Sequence, residues 1–103
     1  MNIVVLITTK DLDEADKIAL ALVQEKLIAC ANIVKGVQSV FWWESKVEYC
    51  EEALVVCKTK QELFGLIVEK VKKLHSYNVP EVIALPIAEG NPEYLNWVNE
   101  SVR

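Results

Sequence analysis

A chain of 103 residues with a formal net charge of −4 has room for one domain and lacks the dense basic face that a nucleic-acid partner requires. Its apolar share of 52%, with three tryptophans, is high for one small core and points to a surface shared with another subunit. No apolar run approaches the roughly 20 residues of a bilayer span, the opening MNIVVLITT lacks the basic region of a secretory leader, and three cysteines in no framework spacing imply free thiols in a reducing compartment, by default the cytoplasm.

Ile3 to Thr8 is a continuous β-rich run, apolar on both faces, as a central strand requires. Asp11 with Glu14 resembles a capping box. Ala15, Ile18, Ala19, Leu22 and Val23 then follow at helical spacing, which predicts a helix from Leu12 to Lys26. Ile28 to Val34 reads as a strand, Lys35-Gly36 as a bulge or bend, and VQSVFWWE as renewed extended structure. The turn ESK and the run VEYCEEALVVCKT complete a long hairpin centred near Ser45. Thr59 with Glu62 suggests a second capping box, ahead of the helical stripe Leu63, Ile67, Val71 and Leu74. Lys70, Lys72 and Lys73 are the nearest thing to a basic run, and they fit the end of that helix, where positive charge offsets the dipole. EVIALPI is a further strand, and Asn91 with Pro92 opens a last short helix, PEYLNWVNES.

The order β-α-β-β-α-β plus a terminal helix is the ferredoxin-like split-βαβ pattern, an α+β fold occupying residues 1–103 as a single domain. Right-handed crossovers put the first and third strands at the centre and both main helices on one face. Pro80 and Pro86 share strand parity, so their missing N–H groups fall on one side, which places the fourth strand at an edge. Large apolar residues occupy both faces of the hairpin, and adjacent Trp42 and Trp43 must point oppositely. A two-layer domain covers one sheet face with helices, and the terminal helix is too short to hide the other. Copies of the same chain are the expected cover, with Trp42 and Trp43 as interface residues.

His75, the one histidine, is the natural candidate metal ligand, yet zinc or copper wants three or four ligands. Cys50 and Cys57 have opposite parity and lie roughly 23 Å apart at strand rise, so they share no ion within one chain. Cys30, in IACAN, is expected to be a buried, inert thiol. A metal site must then draw on carboxylates or on neighbouring subunits. Glu44, Glu48, Glu51 and Glu52 about the hairpin read as solvating charge. His75 with Lys58, Tyr77 and Glu81 forms a candidate polar pocket beside the last strand. No nucleophile triad, glycine-rich phosphate loop, CxxC or HExxH is present, so the chain is not expected to be an enzyme.

IACANI, SVFWWESKVE, CKT before the second helix, HSYNVPEVIALPI and YLNWV, in this order over nearly the whole chain, resemble the divalent-cation tolerance protein CutA family. The resemblance implies a compact homotrimer with sheets packed about a threefold axis and hairpin arms engaging neighbours. It also implies a part in the response to metal ions, with copper(II) or another divalent cation as ligand, no required cofactor, and His75 as a metal ligand. The family shares its trimeric build with P-II signalling proteins, so a module holding a small anion or metabolite in inter-subunit clefts is the alternative, and a purely assembling role a third. The departures are specific. Ser76 stands where the family pattern has Pro, Asn78 where it has Glu, and Ser45 where its turn has Gly. Ile7 and Leu74 occupy places where some bacterial members have a cysteine and a second histidine. Of that trio of copper ligands His75 alone is kept.

Overall fold

The computed structural model describes all 103 residues. Strand β1 (Asn2–Thr9) is followed by helix α1 (Leu12–Gln24), then by the long strands β2 (Cys30–Trp43) and β3 (Lys46–Lys60). A 3-10 turn (Gln61–Leu63) leads into α2 (Phe64–Leu74), and β4 (Val82–Pro86) and α3 (Pro92–Ser101) complete the chain. The sheet order is β2-β3-β1-β4, all antiparallel. The ferredoxin-like expectation therefore holds, with the first and third strands central and the fourth at an edge. Pro86 lies inside β4 opposite Ile3, but Pro80 lies ahead of it, so the edge argument rests on Pro86 alone.

Alternation along β1 and β3 fixes the layers. Ile3, Val5, Ile7, Ala53, Val55 and Cys57 are buried beneath Ile18 and Leu22 of α1 and Ile67 and Val71 of α2. Each of these odd-numbered strand residues points to the helical side, because successive strand residues alternate. Helix α1 starts where the sequence places it, with the Asp11 side chain accepting from Glu14 N at 2.9 Å. It ends at Gln24 rather than Lys26, since Lys26 turns to φ +58°. The second predicted cap does not form. Thr59 belongs to β3, is fully buried, and its hydroxyl donates to Leu27 O at 2.6 Å, so α2 begins after the 3-10 turn without a side-chain cap.

The β2–β3 ladder breaks between Val34 and Val37, where Gly36 takes φ +71°, a conformation only glycine enters freely. Beyond this bulge the two strands leave the body as an arm, from the pair Val37–Glu52 to Trp43–Lys46 at the tip. Trp42 and Trp43 are 75% and 62% exposed, so in the single chain neither lies under a helix. Because β1 ends opposite Ala53, the arm has no strand beside it on that side, which gives the molecule its long axis of 44 Å.

On the face away from α1 and α2, rows of side chains run across the sheet. Val56, Leu6 and Ile83 stand opposite one another, as do Lys58, Val4 and Leu85. Helix α3 reaches one end of this face, where Tyr94 Oη meets Cys30 Sγ at 3.4 Å and Asn2 donates to Asn99 at 2.8 Å. The rest of the face is open, and Ile83 and Leu85 are exposed. No helix is long and apolar enough to cross a membrane.

Candidate functional site at the root of the arm

His75 ends α2, and its main-chain N–H still donates to Val71 O at 2.8 Å. His75 itself takes an extended backbone, φ −80° and ψ 144°, which ends the helix there. Its side chain is wholly buried. Nε2 lies 2.7 Å from Thr8 O, and a carbonyl can only accept, so Nε2 carries the proton. Nδ1 in turn accepts from Tyr77 N–H at 3.0 Å. Both ring nitrogens are thus engaged within the chain.

Two carboxylates belong to the cluster, Glu14 beside the ring and Glu52 at the far end of Tyr77. Glu14 is buried and accepts from Lys10 N at 3.1 Å, Ser76 N at 2.8 Å and Ser76 Oγ at 3.1 Å. Its nearer oxygen is 3.8 Å from His75 Nδ1. Burial would raise its pKa, but the hydrogen bonds from Lys10 and Ser76 outweigh burial and hold it below the ordinary 4.5. Glu52 is also buried and accepts from Tyr77 Oη at 2.7 Å. Burial, and then that bond to a carboxylate, push the Tyr77 phenol well above its ordinary value. The His75 and Tyr77 rings lie 4.7 Å apart. Outside this cluster, a groove of about 460 Å³ is lined by Lys10, Asp11 and Leu12, by Lys35 and Gly36 of the bulge, and by Glu51, Glu52 and Ala53.

The sequence expectation paired His75 with Lys58, Tyr77 and Glu81, and the structure brings only Tyr77 to it. Lys58 lies opposite Val4, four residues down β1 from Thr8, which is roughly 13 Å at strand rise. It is on the helix-free face, bonded through Nζ to Asn32 Oδ1. The parity of Lys58 against buried Val55 and Cys57 carried that information. Glu81 is exposed ahead of β4. In their places stand Glu14, which sequence reasoning saw as a helix cap, and Glu52, which it took for solvating charge. Ser76 has a definite role, since its main-chain N–H is one of the Glu14 donors and a proline there has none to give.

The cysteines also differ from expectation. Cys57 is the buried thiol, pushed up to about 12 by burial. Cys30 is half-buried beside Tyr94, and all three thiols are free. No three His, Cys, Asp or Glu side chains are grouped to hold a metal ion. With Nδ1 and Nε2 both engaged, the groups around His75 in one chain do not fit a copper or zinc ion, which needs three or four open ligands.

A ferredoxin-like α+β sandwich with a projecting two-stranded arm, an open apolar sheet face and a buried Glu-His-Tyr-Glu cluster at the arm's root defines the class. The family model described as CutA1 divalent ion tolerance protein matches residues 3–101, and the chain belongs to that family. It is 50% identical over 101 residues to the divalent-cation tolerance protein CutA of Thermus thermophilus, covering 98% of each. It is 46% identical to the chloroplastic CutA 1 of Oryza sativa, covering 99% of this chain and 58% of that one; the chain thus spans little more than half the rice relative's length. The solved structure of the divalent cation tolerance protein from Thermus thermophilus superposes with a TM-score of 0.98 at 48% identity, covering 100% of both chains. That of CutA1 from Oryza sativa gives 0.97 at 46% identity, covering 99% and 94%.

Proposed function

We propose that this chain acts in divalent-cation tolerance as a homotrimer, without enzymatic chemistry, in the cytoplasm. The observation that carries the assembly is the open sheet face. Val4, Leu6, Val56, Ile83 and Leu85 share it, and α3 covers one end alone. Exposed apolar surface of this extent on a small domain marks an interaction site. Threefold packing, the arrangement implied by the resemblance, turns three such faces toward one axis. Copper(II) or another divalent cation is the proposed ligand, held by groups drawn from more than one subunit, because one chain offers no set of three. The three free cysteines support a reducing compartment.

Sedimentation equilibrium at micromolar concentration tests the assembly. The expected species is about 35 kDa, three chains of 11.7 kDa. A folded particle of single-chain mass overturns the trimer. Calorimetric titration with Cu(II), repeated on trimer and on a dissociated variant, tests the shared site. Equal binding by both removes it.

A further inference from the structure

The chain of contacts from the body to the arm is continuous. Thr8 O at the end of β1 holds His75 Nε2, His75 Nδ1 holds Tyr77 N, and Tyr77 Oη donates to Glu52. Glu52 with Val37 is the first pair of the arm beyond the bulge. The ladder with β1 stops one residue earlier, at Thr9–Ala53. Within one chain the arm from Glu52 outward is a two-stranded ribbon with no third strand beside it, and such ribbons twist strongly and are marginal alone. Among the hydrogen bonds of residues 37–52, the one that reaches them from outside the hairpin is Tyr77–Glu52.

We propose that His75 and Tyr77 form a clasp that sets the direction of the arm from the body, and that His75 in this chain is a positioning residue rather than a metal ligand. Glu14 braces the clasp by holding Ser76, the residue between its two members, and Lys10 at the start of α1. A cation at His75 would have to displace either Thr8 O or Tyr77 N–H from a ring that is wholly buried. The arm carries exposed Val40, Trp42, Val47 and Tyr49 on one side, so its direction decides where these residues arrive on a neighbouring molecule. The clasp lies within one chain and does not require the trimer.

Amide hydrogen exchange and Cu(II) titration on the full chain test it together. Tyr77→Phe removes the phenol oxygen and keeps the ring against His75. It is expected to speed exchange of the arm amides, residues 37–43 and 46–52, by about tenfold while the β1–β3 ladder keeps its protection. Glu52→Gln retains an acceptor oxygen and should hold the arm near wild-type protection. His75→Gln should loosen the arm like Tyr77→Phe, and its Cu(II) isotherm should match that of Tyr77→Phe, which keeps the imidazole. Unchanged arm exchange in Tyr77→Phe overturns the clasp. So does a loss of Cu(II) binding in His75→Gln that Tyr77→Phe does not share. If His75→Gln does not fold, the Tyr77→Phe and Glu52→Gln pair decides.

Discussion

Replacing Glu14 with glutamine removes one acceptor oxygen from a buried carboxylate that takes hydrogen bonds from Lys10 N, Ser76 N and Ser76 Oγ. Whichever way the amide turns, its NH2 faces at least one main-chain N–H, which loses its partner. At neutral pH the cost is about 2 kcal/mol, the penalty of leaving a buried donor unpaired. The pH dependence follows from the direction of the shift. Glu14 in the fold lies below the ordinary 4.5, so its ionisation favours the folded state. That contribution is complete above the unfolded value and is lost as pH falls through the lower folded one. Urea unfolding of wild type and Glu14→Gln between pH 7 and pH 3 should therefore show two stability curves that converge on acidification. A constant gap across that range would mean that the charge contributes nothing. Thr59 teaches a related lesson. A threonine three residues before a glutamate resembles a cap in sequence, but its hydroxyl is taken by Leu27 O, a partner 32 residues away that no local pattern reveals.

Elements were legible where a period was long enough to count. Ile67, Val71 and Leu74 of the helical stripe, the apolar run of β1 and the Lys35-Gly36 interruption appear where the sequence puts them, while Leu63 falls in the 3-10 turn ahead of α2. The site was less legible because it is assembled from four elements, and the two partners of the Glu14–Ser76 bond are 62 residues apart. The turn of the hairpin offers a sharper test of sequence against geometry. Glu44 and Ser45 adopt φ +48° and +65°, with Trp43 paired to Lys46, so a two-residue loop has both central residues left-handed, as the twist of a hairpin demands. Serine bears a Cβ that crowds the carbonyl there, and glycine does not. Ser45→Gly should stabilise the chain by about 1 kcal/mol. Gly36→Ala should do the opposite. A Cβ at Gly36 meets no atom within 4 Å, so any loss there reports the φ of +71° and not a clash, and about 1 kcal/mol is expected. Thermal melts of both variants check the pair, and a stable Gly36→Ala would show that the bulge tolerates another conformation.

At the scale of the whole molecule the question is which surface the copies share. Ile83 lies on the edge strand opposite Leu6, on the helix-free face, and is about half exposed in one chain. A glutamate there remains solvated in the single chain, since the side chain stands about half exposed on an edge strand. In a trimer closed about this face the same substitution buries three carboxylates near one axis. Each loses its water without a partner, at several kcal/mol per ion, and the three repel one another. Ile83→Glu should therefore abolish the three-chain mass in sedimentation at micromolar concentration. Leu20→Glu is the control. Leu20 is an exposed apolar residue too, but it sits on α1, the helical side of the sandwich, so the same change of charge there should leave the assembly intact. If Leu20→Glu dissociates the particle and Ile83→Glu does not, the copies meet through their helices, and the open sheet face must be covered by something other than this chain.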